Sequence, residues 1–254
     1  MGLTGDRVLP GMPATAQPTS PSSVASSGPR RDASACARKA GESLTTRLEK
    51  RFVAAALPYV PRWCETYHLT AATLIWTAGV VAFAVAAHTW SWGALLGIAA
   101  MIVLQYLTDL FDGAVGRDRD TGLVRWGFYA DHLLDVLFAG SLAIAGAIVV
   151  PSLTIWWMVL MLLGLALMVS SFLALAAGEE FAIYHFGMGP TEIRGLLVVG
   201  LAAATFVGPA VVPPIVIGMT VVTGVSLVAV AGRTASHLWR LDLAAKADER
   251  KKKV

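Results

Sequence analysis

The chain has 254 residues, of which 56% are hydrophobic and 15% are charged, and its mean hydropathy is +0.65. A soluble domain carries roughly 25% charged residues, so this composition argues against an ordinary water-soluble protein. The formal net charge of +3 comes largely from the two tails, where Trp239 is the single aromatic residue among the basic ones. That pattern disfavours a nucleic-acid-binding protein.

The first segment, residues 1–42, is rich in Pro, Ser, Gly, Ala and Thr. It has too few large apolar side chains to offset the entropy lost on ordering, so we expect a disordered tail. No apolar run precedes residue 52, and we therefore expect no secretory signal peptide.

Residues 43–66 form the second predicted segment, a juxtamembrane amphipathic helix with Ser43 or Thr45 as its candidate N-cap. One face is basic, and the apolar side chains recur at helical spacing on another face: Leu44, Leu48, Phe52, Ala55 and Tyr59. This pattern is typical of a helix that lies in the membrane interface. A cytoplasmic helix packed on a membrane bundle fits the same pattern.

The third segment, residues 67–235, contains apolar blocks of about 20 residues, the length that crosses a bilayer. The six predicted spans are 69–87, 91–108, 129–149, 154–177, 193–212 and 213–232. The last two are separated only by a Gly-Pro-rich turn, so a single broken hairpin is an alternative there. A large soluble helical core would need polar stripes that most of these blocks lack. The expected fold class is therefore an all-α polytopic membrane protein, followed by a basic C-terminal tail at 236–254.

The distribution of basic residues predicts the orientation of the spans. If the N-terminus is cytoplasmic, the outward loops are HTWSW, VPSLT and VGPAVVPP, and all 20 Lys and Arg residues lie on the inner side. This satisfies the positive-inside rule. We therefore expect a multi-pass protein of the inner cell membrane, in contact with membrane lipids, with both termini and the loops 109–128 and 178–194 in the cytoplasm. Cys36 and Cys64 fall on that reducing side, where a structural disulfide is not expected.

Two pairs of aspartates stand at the cytoplasmic ends of the second and third spans. Asp109 and Asp112 are three residues apart, and Asp131 and Asp135 are four apart, so each pair shares one helix face. The two helices should be antiparallel neighbours, which would bring the four carboxylates together. Such a cluster is costly unless cations neutralise it, and oxygen ligands of this kind favour Mg²⁺ or Mn²⁺.

Three glycines are interleaved with these carboxylates: Gly113, Gly116 and Gly127. They would let a flat ligand approach the backbone, although small residues also serve helix packing in membranes. Together with a divalent cation, a pocket at this depth suggests a diphosphate substrate, because Mg²⁺ binds through carboxylates and phosphate oxygens together.

The stretch DLFDGAVGRDRDTGLVRWGFYADHLLD resembles the signature of the CDP-alcohol phosphatidyltransferases, D-x-x-D-G-x-x-A-R-(x8 or 9)-G-x-x-x-D-x-x-x-D. One fixed position departs, because Gly116 stands where the family usually has Ala. Before the first span, TYHLT retains Leu69 and Thr70 of the family's P-N-x-L-T but lacks its Pro and Asn. The resemblance extends over residues 60–235.

The resemblance implies transfer of a phosphoalkyl group, expected to be phosphatidyl, from a CDP-alcohol to an alcohol, with release of CMP in phospholipid biosynthesis. CDP-diacylglycerol is the expected donor, and another CDP-alcohol is the alternative. The metal residues would be Asp109, Asp112, Asp131 and Asp135, holding two Mg²⁺ or Mn²⁺ ions, and Asp135 would also be the general base. Donor binding would involve Thr70, Gly113, Gly116, Arg117 and Gly127. The family further implies a homodimer.

The segment GMGPTEIR resembles a variant found in some bacterial members. It implies that Glu192 and Arg194 face the acceptor, with Arg194 binding an anionic group. A Gly-Pro turn followed by Thr191 as a helix cap is the structural alternative. The acceptor stays open among glycerol 3-phosphate, inositol phosphate, serine and a lipid alcohol.

Two other functions use similar carboxylates. A membrane prenyltransferase has two aspartate-rich motifs, but they usually lie on well-separated helices of a longer chain. An ion or proton transporter would place polar groups near the middle of the bilayer in broken helices. Neither pattern fits this sequence as well.

Overall fold

The computed structural model describes residues 46–177 and 190–252. Within these ranges the regular elements are all helical, and the seven α-helices are α1 Thr46–Ala56, α2 Thr66–Thr89, α3 Leu95–Asp118, α4 Val124–Val149, α5 Thr154–Ala176, α6 Pro190–Val207 and α7 Val212–Lys252. The all-α fold class is confirmed. The predicted disordered tail lies outside the described residues.

Among the described residues, five helices are long and apolar enough to cross a membrane: α2, α3, α4, α5 and α7. Their large apolar side chains are widely exposed, as at Ile155, which is 75% exposed, and this suits contact with lipid rather than a soluble helical core. The polytopic character is thus confirmed. In α6 the apolar part is Ile193–Val207, which is shorter than the roughly 20 residues of a full span, so the sixth span stays a prediction.

Several helix ends differ from those expected. The predicted cytoplasmic loop 109–128 is instead largely helical, because α3 continues to Asp118 and α4 begins at Val124. Ala114 and Val115 are buried, so packing supports this last part of α3. The short turn that follows contains Gly122 at φ 67°, a backbone conformation that glycine adopts without a steric penalty.

The two ends of the described chain are also helical. The amphipathic segment forms α1, which is followed by a 3-10 turn at Leu57–Tyr59. At the other end α7 continues to Lys252, so the basic tail is an extension of the last helix rather than a separate segment. Its Leu, Ala, Lys, Glu and Arg residues are all good helix formers.

Helix α2 lies at the centre of the packing that forms the site. Both α3 and α4 pack on α2, far more extensively than on each other, while α6 packs on α3 and α5 packs on α4 and α7. The apolar core includes Val80 and Ala84 of α2, Ile102 of α3 and Phe138 of α4. This arrangement brings α3, α4 and α6 together around the aspartates.

Candidate active site

Three carboxylates from two helices meet in one group. Asp109 of α3 and Asp131 and Asp135 of α4 each offer an oxygen within 4.8 Å of the others. Opposite oxygens around a Mg²⁺ ion lie about 4 Å apart, since each bond is about 2.0–2.1 Å long. An all-oxygen group with this spacing therefore fits a hard divalent cation after only small side-chain movements.

Asp112 is held differently from the other three aspartates. Its Oδ2 accepts a hydrogen bond from the Thr70 hydroxyl at 3.1 Å, and its backbone carbonyl accepts one from the Thr66 hydroxyl at 2.9 Å. Both threonines belong to the first turns of α2 and are buried. Thr70, predicted as a donor-binding residue, therefore orients a carboxylate of the signature. Thr66, which the sequence did not reveal, holds the backbone of the same residue.

Arg194 lies inside the carboxylate group rather than beside it. Its Nη1 is 2.9 Å from Asp109 Oδ2, and its Nη2 is 3.6 Å from Asp135 Oδ1. The packing of α6 on α3 brings it there, and its side chain is only 17% exposed. The side chain of Glu192 is outside the described part of the structure, so its predicted place at the acceptor site stays untested.

Gln105, one turn before Asp109 on α3, is a site residue that sequence reasoning missed. Its Nε2 donates a hydrogen bond to Asp135 Oδ1 at 3.0 Å. The side chain is 1% exposed, and its Oε1 has no hydrogen-bond partner among the described residues. A buried amide that donates to one carboxylate fixes the orientation of that carboxylate.

The three signature glycines have different surroundings. A Cβ atom at Gly127 would meet no atom of the described residues within 4 Å, so packing among the described helices does not account for this residue. At Gly113 a Cβ would lie 3.3 Å from Nη1 of Arg117, whose guanidinium extends back along α3. At Gly116 the nearest atom would be Thr66 Oγ1 at 3.5 Å, an ordinary contact, so the family's usual Ala would fit.

Arg119 joins the end of α3 to the chain entering α2. Its guanidinium donates to the backbone carbonyls of Pro61 at 3.0 Å and Arg62 at 3.2 Å, and also to that of Cys64. It also pairs with Glu65 at 3.5 Å. These bonds hold the start of α2, and with it Thr66 and Thr70, next to Asp112.

The fold and the site together define a polytopic membrane protein with a carboxylate group suited to a divalent cation. Residues 67–234 match the family described as CDP-alcohol phosphatidyltransferase, and the chain belongs to that family. No curated protein and no solved structure matches the chain. Family membership makes the protein a transferase of the kind that moves a phosphoalkyl group from a CDP-alcohol, which disfavours the prenyltransferase and transporter alternatives.

Proposed function

We propose that this protein is a membrane phosphatidyltransferase that transfers the phosphatidyl group of CDP-diacylglycerol to an alcohol and releases CMP. The observation that carries the proposal is the meeting of Asp109, Asp131 and Asp135 within 4.8 Å, at the positions of the family signature. The product would be a phospholipid or a phospholipid precursor.

The aspartates have two tasks in this proposal. Asp109, Asp112 and Asp131 would hold two Mg²⁺ or Mn²⁺ ions together with the diphosphate of the donor. When bound, these ions neutralise the diphosphate and stabilise negative charge on the leaving CMP. Asp135 would also contact this metal site and would accept the proton of the attacking hydroxyl, while Gln105 holds its carboxylate in one orientation.

Arginines and glycines would bind the two substrates. Gly113, Gly116 and Gly127 would form the wall against the donor, and the open space beside Gly127 supports this role. Arg117 would pair with a donor phosphate. Arg194, 3.6 Å from the proposed base, would bind an anionic group of the acceptor and so bring its hydroxyl towards Asp135.

The proposed orientation rests on the distribution of basic residues, and the proposed assembly rests on the family resemblance. We place the active site and both termini in the cytoplasm at the inner cell membrane, because the outward loops carry no Lys or Arg. We also propose a homodimer, as the family resemblance implies.

The direct test is an acceptor screen with purified protein, CDP-diacylglycerol and Mg²⁺ or Mn²⁺, in which CMP and the lipid product are both measured. CMP should appear only when a suitable alcohol and the metal are both present. A soluble CDP-alcohol in place of CDP-diacylglycerol tests the donor class. Absence of CMP with every donor and acceptor would contradict the proposed reaction.

The role of Arg194 is tested once the acceptor is known. Arg194→Ala should raise the KM for an anionic acceptor and leave the donor KM nearly unchanged. A selective rise in the donor KM would instead assign Arg194 to the diphosphate.

A further inference from the structure

The helix that precedes the first span, α1, contacts two residues beside the carboxylate group through the side chain of Glu49. Oε1 of Glu49, on α1, accepts a hydrogen bond from the Tyr106 hydroxyl at 3.2 Å and another from the Thr191 hydroxyl at 2.8 Å. Tyr106 belongs to α3 and Thr191 to the first turn of α6. Glu49 therefore connects three helices that are far apart in the sequence.

Both donors lie next to Arg194. Thr191 is one turn before Arg194 on α6, and the Arg194 guanidinium carbon lies 5.8 Å from the centre of the Tyr106 ring. That distance is within the range of a cation–π contact. The two hydrogen bonds to Glu49 fix the Tyr106 ring and the first turn of α6, and they thereby restrict the positions available to the Arg194 guanidinium.

A second contact packs α1 against α3 and does not involve Glu49. The rings of Phe52 and Phe111 meet edge to face, with centroids 5.8 Å apart. Loss of the Glu49 carboxylate should therefore release its two donors without detaching α1 from α3.

The position of Arg194 has a consequence for cation binding. Its guanidinium engages Asp109 and Asp135, two of the three carboxylates that meet at the proposed metal site. A divalent cation that binds these oxygens must either lie close to the Arg194 guanidinium or displace it. Two positive charges so close together repel each other. Contacts that hold the Arg194 guanidinium against these carboxylates should therefore weaken the binding of the divalent cation.

We propose that Glu49 is a positioning residue that holds Arg194 against Asp109 and Asp135 and thereby sets the affinity of the group for a divalent cation. This inference rests on the proposed function, because it takes the carboxylates to be the metal site. It assigns to α1 a role in the chemistry of the site in addition to any role at the membrane surface.

The experiment measures Mn²⁺ binding to the purified full-length protein in detergent, from the electron paramagnetic resonance signal of free Mn²⁺. Arg194→Gln should lower the Kd for Mn²⁺. Glu49→Ala should lower it in the same direction, by about threefold to tenfold, the loss expected from one or two hydrogen bonds. The double variant should bind Mn²⁺ no more tightly than Arg194→Gln alone, because Glu49 acts through Arg194.

Three further variants distinguish the positioning of Arg194 by Glu49 from the effect of the Glu49 charge and from a loss of folding. Glu49→Gln removes the negative charge but keeps an oxygen that can accept hydrogen bonds from both hydroxyls. Its Kd for Mn²⁺ should therefore change less from the wild-type value than the Kd of Glu49→Ala does. Tyr106→Phe keeps the ring and removes one donor, and it should lower the Kd even if Glu49→Ala fails to fold. Arg51→Gln, an exposed position on α1, should bind Mn²⁺ as the wild type does.

The outcomes distinguish this inference from the proposed function. If Mn²⁺ binds and Asp109→Asn abolishes binding, but Glu49→Ala and Tyr106→Phe both keep the wild-type Kd, the role of Glu49 is overturned and the metal site stands. An additive effect in the double variant would also overturn it. If the wild type does not bind Mn²⁺, or if Asp109→Asn leaves binding unchanged, the metal site fails and this inference fails with it.

Discussion

Asp135 is the aspartate whose two proposed roles, general base and metal contact, most need to be separated. It belongs to the close carboxylate group, yet it also receives the Gln105 hydrogen bond and lies near Arg194. Asp135→Asn keeps the volume and removes the proton acceptor, so kcat should fall by roughly 10²–10⁴-fold, while the donor KM is largely retained and the Mn²⁺ affinity falls far less than in Asp109→Asn. Kinetics and Mn²⁺ binding on the same preparation check this. A parallel loss of Mn²⁺ binding would make Asp135 primarily a metal ligand.

Gln105 supports Asp135 through one hydrogen bond to a charged group. Gln105→Leu replaces the amide with an apolar side chain of similar size and removes that bond, which is worth about 1.5–3 kcal/mol, or about 10-fold to 150-fold in rate if the bond acts at the transition state. Steady-state kinetics should show the decrease in kcat with an unchanged donor KM. A normal kcat would show that the orientation of Asp135 does not depend on Gln105.

Among individual residues, sequence analysis identified candidate site residues that belong to a spaced motif, and it missed those that lie outside any motif. The four aspartates share helix faces, and this spacing is visible in the chain. Gln105 is a single amide within an apolar run and has no periodic signal. Glu49 meets Thr191 across 142 positions, a contact that depends on how α1, α3 and α6 pack and on nothing local.

At the level of the helices, Gly116 on α3 and Gly127 on α4 can be tested with a matched pair of variants. Gly127→Leu should raise the donor KM without lowering thermal stability, because a Cβ there meets no neighbouring helix in the part of the chain that the structure describes. Gly116→Ala restores the residue usual in the family and makes only ordinary contacts with Thr66 and Thr121, so its donor KM should match that of the wild type. A normal donor KM in a well-folded Gly127→Leu variant would remove Gly127 from the donor wall.

The existence of the helices was easier to predict than their ends. Apolar blocks of span length identify α2, α3, α4, α5 and α7, because only a membrane makes such blocks favourable. The charged stretch after residue 108 instead suggested a loop. The helix continues there because Ala114 and Val115 are buried and the Thr66 hydroxyl binds the Asp112 carbonyl.

For the whole molecule, the predicted orientation can be tested by cysteine labelling of intact cells. In a variant without Cys36 and Cys64, Ser91→Cys in the first outward turn should react with a membrane-impermeant maleimide. Arg125→Cys, exposed at the start of α4, should react only after the inner membrane is permeabilised. The opposite pattern would reverse the orientation and place the aspartates on the outer face.

Asp109, Asp131 and Asp135 are proposed to form a metal-dependent phosphatidyl-transfer site. Asp131 tests this site most clearly, because the resemblance assigns it to metal binding alone. The measurement is CMP release from CDP-diacylglycerol by purified wild-type and Asp131→Asn protein, titrated with Mg²⁺ in the presence of the identified acceptor. If the proposed site is correct, the wild type should show saturable Mg²⁺-dependent release, and Asp131→Asn should remain folded but lose several orders of magnitude of this activity. Release that persists in Asp131→Asn at the same Mg²⁺ concentration would contradict it.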